Sequence, residues 1–190
     1  MLSNFRTASA AFLIDYSVVE IYFTAQHFGM PTRLLDWSTN PLAALFFACA
    51  NNPDEDGFVH MMDAATIVPE DAIQGQEQRL YRSVMSMRHP FFVKCVEQSF
   101  WADGPKDCGR YILPVRPDLK PGRIAQQSSC FTFHMFGADD FGNDTLKTLQ
   151  IAKDDKPTIR KDLERLNVNQ FTAYYDLDHL SKEIRRVWGL

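Results

Sequence analysis

AQHFGMPTRLLDWSTNPLAALFFA, residues 25–48, crowds a histidine, an arginine, an aspartate and a tryptophan between two apolar runs of helical period. Upstream, residues 17–28 set Val18, Ile21, Tyr22, Ala25 and Phe28 at helical spacing. Gly29 supplies a left-handed position and Pro31 forbids continuation, so the helix must stop there. Residues 32–37 then read as a strand entered through a proline turn. Alternation puts Thr32, Leu34 and Asp36 on one face and Arg33, Leu35 and Trp37 on the other. Downstream, Asn40 stands as a helix cap and Pro41 suits the first helical position, where its missing N–H costs nothing. Residues 42–50 are apolar all round, which predicts a centrally buried helix ended by Asn51, Asn52 and Pro53.

Working outward, residues 2–14 read as a short amphipathic helix with Ser3 as its cap. Residues 57–63 read as a strand after the acidic turn Asp54-Glu55-Asp56. Pro69, Glu70 and Asp71 could open a helix interrupted by Gly75, and HPFFVKCVEQSF (89–100) is apolar without a clear period. Residues 102–109 read as a loop. RYILPVRP (110–117) reads as a strand whose Pro114 predicts an edge or a bulge. Residues 130–136 form another, with Phe131, Phe133 and Met135 alternating with Thr132 and His134; residues 145–152 form one more. Two helices follow: Ile159, Leu163 and Leu166 share a face, as do Leu177, Leu180, Ile184, Val187 and Trp188 behind the cap Asp176. The pattern predicts an α+β fold in one domain, 1–190. It has mostly antiparallel sheets, a central buried helix, helices gathered at the termini, and a C-terminal helical segment from 156 to 190.

The composition of the 190 residues, 45% hydrophobic and 13% aromatic, supports a substantial core. A net charge of -4 gives no support for a nucleic-acid surface. Cys49, Cys95, Cys108 and Cys130 form no CxxC pair and none is matched with a neighbouring histidine. That reads as a reducing, cytoplasmic compartment without a zinc site. The start lacks the apolar core of a secretory signal, and no stretch approaches the length of a membrane helix. His60, His89, His134 and His179 are scattered, so no metal is assigned.

QHFGMPTRLLDW followed by NPLAALFFA resembles the hallmark of the FRG domain family, a segment of the form QHxGxPTRLLDW. The matching residues are Gln26, His27, Gly29, Pro31, Thr32, Arg33, Leu34, Leu35, Asp36, Trp37, Pro41, Ala44 and Leu45. RIAQQSSCFTFH resembles a later element of that family through Arg123, Ile124, Gln127, Phe131 and Thr132, and residues 167–184 resemble its closing segment. Two departures stand out. The upstream aromatic-Arg-Gly element that names the family is represented only by Phe5-Arg6 without glycine, as in a minimal or truncated member. Ser129 stands where the later motif carries glycine.

The layout is also similar, more loosely, to ADP-ribosyltransferase-like folds. That resemblance implies NAD as cofactor, Arg33 or His27 toward the phosphates, Trp37 and Ser38 at a nicotinamide pocket, and Gln127 near the ribose. Gln26, Thr32 and Asp36 complete the expected ligand-binding set. The chain departs from that layout in two respects: no arginine stands where the first motif needs one, and Gln127 is an amide, not a carboxylate. The expectation is an NAD-using effector of the toxin or phage-defence kind, acting on a small nucleotide-like molecule or a protein target. The alternatives are a non-catalytic binding module and an FRG domain without activity. Bland readings compete at each residue: His27 as a helix C-terminal cap, Asp36 as a cap for the 40–50 helix, Trp37 as core.

Overall fold

The computed structural model describes residues 1–67, 85–100, 111–117, 129–135, 138, 141, 145–174 and 176–189. These residues hold seven α-helices: α1 (Leu2–Ala8), α2 (Val18–His27), α3 (Pro41–Ala50), α4 (Pro90–Ser99), α5 (Lys156–Arg165), α6 (Gln170–Tyr174) and α7 (Leu177–Trp188). They also hold six strands: β1 (Leu34–Ser38), β2 (Gly57–Met62), β3 (Met85–Ser86), β4 (Ile112–Arg116), β5 (Ser129–His134) and β6 (Leu146–Ile151). Four strands form one sheet in the order β1-β5-β4-β3, and β2 and β6 form a second. β4 runs antiparallel to β5 and parallel to β3, so the class is α+β as read from the sequence. The readings for 69–84 and 102–109 fall outside the described residues.

The chain divides into two compact units, interleaved along the sequence. The first comprises residues 1–36, 63–118 and 131–145; the second comprises 37–62, 119–130 and 146–190.

In the first unit, α2 is set at both ends by local chemistry. The Ser17 hydroxyl accepts from the Glu20 amide, and the Glu20 carboxylate takes the Ser17 N–H at 2.8 Å, a reciprocal capping box. At the far end Gly29 adopts φ +77°, and the Met30 and Gly29 amides reach back to the Ala25 and Gln26 carbonyls. This is the paired closure that a left-handed residue permits. Val19, Ile21, Tyr22, Phe23 and Ala25 are buried. Phe23 meets Phe131 edge-on at 4.9 Å and Phe92 meets Phe133 at 5.3 Å, which locks α2 and α4 to one face of β5.

Several sequence readings are corrected in this unit. The first helix is α1, seven residues long with Met1 at its cap, and Ser3 lies inside it; none of its residues is buried. HPFFVKCVEQSF is a helix, α4: the His89 ring accepts from the Phe91 amide, Pro90 opens the first turn, and Phe92, Cys95 and Val96 are buried at i, i+3 and i+4. β1 begins at Leu34, two residues later than expected: the Thr32 hydroxyl and the Arg33 N–H are bonded to α2, and Arg33 meets β5 only through its carbonyl. β5 covers Ser129–His134 rather than 130–136. β4 is not an edge strand but lies between β5 and β3. Pro114 is tolerated because it faces the same side as Arg116, toward β3, whose paired register reaches only Val115 and Arg116.

In the second unit the Asn40 side chain accepts from the Leu42 amide at 3.0 Å and Pro41 opens α3, as expected. The helix is less enclosed than its uniform apolarity suggests. Ala43, Phe46 and Cys49 are buried, whereas Leu42, Leu45, Phe47 and Ala50 are partly buried around the cluster of Phe46, Leu163 and Ala173. β2 and β6 pair antiparallel from Gly57↔Ile151 to Met62↔Leu146. Gly57 is required by close approach: a Cβ there would lie 2.4 Å from the Ala48 carbonyl oxygen. Lys156 is buried, its Nζ donating to the Asn51 and Asn52 carbonyls at 3.1 and 3.0 Å, where the C-terminal dipole of α3 favours a cation. Burial pushes the Cys49 thiol up, against the opposing charges of Lys156 and Arg160.

Candidate functional site

The helix stop at Gly29 turns the chain so that the end of α2 faces the start of β1, the end strand in the order of its sheet. Gln26, on the last turn of α2, donates from Nε2 to Asp36 Oδ2 at 3.0 Å and accepts the Thr32 hydroxyl at Oε1. The Thr32 oxygen in turn accepts the Leu34 amide at 3.1 Å. The order is chemically forced. The Thr32 hydroxyl proton needs an acceptor, and a carboxylate needs a donor, so the amide of Gln26 presents oxygen to one and nitrogen to the other. Three of the motif's polar residues are thereby one hydrogen-bonded chain.

Arg33 is tied in through its backbone. Its N–H donates to the Tyr22 hydroxyl at 2.9 Å, and its carbonyl accepts the His134 N–H of β5 at 2.8 Å. Tyr22 is completely buried. Burial pushes its hydroxyl above the ordinary tyrosine range, while the Arg33 amide and charge and the Ser99 and Thr32 hydroxyls pull it back. Sequence periodicity marks Tyr22 as core; its second role as the acceptor for residue 33 becomes visible only once β1 folds back on α2. The Arg33 side chain is half-buried and Asp36 is exposed, so no charged group of the motif is sealed in the core.

On β5, His134 Nδ1 lies 3.2 Å from the Ala138 carbonyl and Nε2 lies 3.0 Å from the Thr132 hydroxyl. A carbonyl can only accept, so Nδ1 carries a proton and donates it to Ala138, while Nε2 and the Thr132 hydroxyl share the other bond. A hydroxyl, a base and an orienting carbonyl in line have the form of an activated nucleophile. Thr132, however, has no accessible surface, so no substrate can reach it and the pair serves the interior.

His27 is exposed and meets Phe28 edge-on at 5.1 Å. The Phe28, Gly29 and Met30 amides already serve the last carbonyls of α2, so His27 is not its cap. Asp36 does not cap α3, a role taken by Asn40. Trp37 is half-buried, and the Ser38 hydroxyl accepts the Asn40 amide at 3.0 Å, shaping the turn into α3; both belong to the second unit. Gln127, with Arg123, Ile124 and Gln126, lies outside the described residues. The structure thus joins Gln26, Thr32 and Asp36 directly, sets Arg33 beside them in the chain, and leaves His27 out of their network.

Elsewhere, the second unit holds a cleft of about 90 Å³ among Phe46, Arg160, Asn169, Lys182 and Arg186, with none of the polar residues of 26–38 in its lining. Arg186 there is committed to Glu183 at 2.6 Å and Glu164 at 3.2 Å. Among the described residues no three His, Cys, Asp or Glu side chains converge as a metal site. None of the described helices is long and apolar enough to cross a membrane.

Comparison with curated proteins and with solved structures finds no significant match. The later elements that resemble the family, around residues 123–132 and 167–184, lie beyond the matched segment. The family model that does match is that of the FRG domain, over residues 1–57, from α1 through the helix stop, the Gln26–Thr32–Asp36 chain and α3 to the first residue of β2.

Proposed function

We propose that the α2–β1 junction is a recognition site for a small anionic, nucleotide-like molecule, with NAD as the ligand to test first. The observation that carries the proposal is the use of Gln26, Thr32 and Tyr22. All three spend their hydrogen bonds on fixing residues 32–36, and so hold one cationic and one anionic side chain at a strand end. A turn needs glycine and proline alone; this one adds a polar scaffold beneath Arg33 and Asp36. Arg33 would meet phosphate oxygens, a role suited to its planar fork, and Asp36 a sugar hydroxyl. On the fuller reading the chain transfers ADP-ribose and works in the cytoplasm as a toxin or phage-defence effector.

The test is a thermal melt with NAD, paired with a measurement of nicotinamide release, on the wild type and on Arg33→Lys and Asp36→Asn. Binding should raise the melting temperature by mass action. Both variants should blunt that rise while keeping their own melting temperature. No shift and no nicotinamide release at saturating NAD would remove the reading. A melting shift without release supports the second reading, a binding module without turnover. That reading is favoured by the engagement of Asp36 with Gln26 and by the amide character of Gln127.

A further inference from the structure

The cleft of the second unit has a charged lining over an apolar base. On α5, Arg160 and Glu164 stand one turn apart and share a face; on α7, Lys182 and Arg186 do the same. Both faces line the cleft, and Phe46, almost wholly buried, forms its floor. Arg186 reaches from α7 to Glu164 of α5 and also holds Glu183 of its own helix. One guanidinium thereby occupies both carboxylates of the lining.

The consequence falls on the remaining cations. Glu164, the acid one turn from Arg160, is already engaged by Arg186. Arg160 and Lys182 therefore line the cleft with no hydrogen bond or ion pair of their own among the described residues. Asn169 adds a donor of fixed sense: its side-chain oxygen accepts the Thr172 amide at 3.0 Å, which leaves the NH2 group as its free end. Three cations against two carboxylates give the lining a net positive charge, and the buried ring beneath strengthens its field. A volume of about 90 Å³ admits one oxyanion group but not a whole nucleotide.

We propose that this cleft binds the phosphate group of a small ligand. Arg160 and Lys182 meet its oxygens, Asn169 donates to one of them, and the rest of the ligand stays in solvent. The three donors stand on α5, on α7 and just before α6, an arrangement suited to the diverging oxygens of a tetrahedral group. The site is separate from the α2–β1 junction and does not rest on the NAD reading.

Amide NMR of the whole chain, titrated with inorganic phosphate against chloride of equal ionic strength, tests this. The expected result is a saturable shift at residues 160, 169 and 182. Arg160 and Lys182 are exposed, so substitution there leaves the fold intact. Arg160→Gln and Lys182→Gln should each weaken binding about tenfold. Arg185→Gln, on α7 but outside the lining, should leave it unchanged. Shifts that never saturate, or an equal loss in Arg185→Gln, overturn the proposal. So does acetate bound as tightly as phosphate, since the cleft would then take any anion. Binding abolished by Arg33→Lys but kept in Arg160→Gln would put the phosphate at the α2–β1 junction and overturn this assignment alone.

Discussion

Lys156 sits buried at the end of α3 with its ammonium on two backbone carbonyls, a position its residue type rarely takes without such partners. Lys156→Met keeps the stem and removes the charge-assisted hydrogen bonds. The loss should be about 1 to 2 kcal/mol, since part of the hydrogen-bond gain is already offset by the cost of burying the charge. Urea unfolding of the two proteins measures it, with an unchanged midpoint as the contrary result. Nearby, Asp56 is a carboxylate whose pKa is lowered, first by the Lys153 amide at 2.9 Å and then by the Gln150 side chain at 2.6 Å. A depressed folded pKa favours the ionised form in the native state. The stability it contributes is therefore present above the unfolded value of about 3.9 and lost as pH falls through the lower, folded value. Asp56→Asn should flatten the acid side of the stability–pH curve below about pH 4 and leave its neutral plateau with the same slope. A variant curve as steep as the wild type there would refute the assignment.

At the scale of elements, Gly57 is where β2 passes so close to α3 that no side chain fits. Because the atom in the way is a backbone carbonyl of a helix, it cannot rotate aside. Gly57→Ala should cost about 1–3 kcal/mol, the range for overpacking a filled site, and calorimetry would show it as a lowered melting temperature. The same element boundaries show what sequence can and cannot say. The stop at Gly29, the cap at Asn40 with Pro41 and the cap at Asp176 were all legible, because each is decided by residues within one helical turn of one another. The helix α4 was not, since Phe91, Phe92, Val93, Cys95 and Val96 form a run whose apolar residues outnumber one face and mask the period. Its His89-Pro90 start carried the local signal. Pro114 misled for a different reason: whether a strand is interior depends on partners distant in sequence. The candidate site divides along the same line. Which residue types gather at 26–38 was plain, but the bond from Gln26 to Asp36 spans ten positions and exists only because the Gly29 turn brings the helix end to the strand.

For the whole molecule, the decisive fact is that neither compact unit is a continuous piece of chain. The second is assembled from residues 37–62, 119–130 and 146–190, so its core joins Phe46 on α3 to Leu163 on α5 and Ala173 on α6. The uniformly apolar α3 cannot satisfy itself. Its surface is covered from 100 or more positions away in the sequence, and the Asn51 and Asn52 carbonyls just past its end are met by Lys156. Residues 156–174 are therefore part of the core that α3 requires. A chain ending at residue 155 would lose Lys156, Ile159, Leu163, Val168, Ala173 and Tyr174 at one stroke. That exposes Phe46, Phe47 and the leucines of α3 together, a patch large enough to drive aggregation. The expected outcome is a truncated chain that is recovered aggregated or without a cooperative melt, even though every residue of the FRG-matched segment remains. A truncated chain that stays monodisperse and melts cooperatively would show instead that α3 finds its cover elsewhere, and that the C-terminal helices are an appendage.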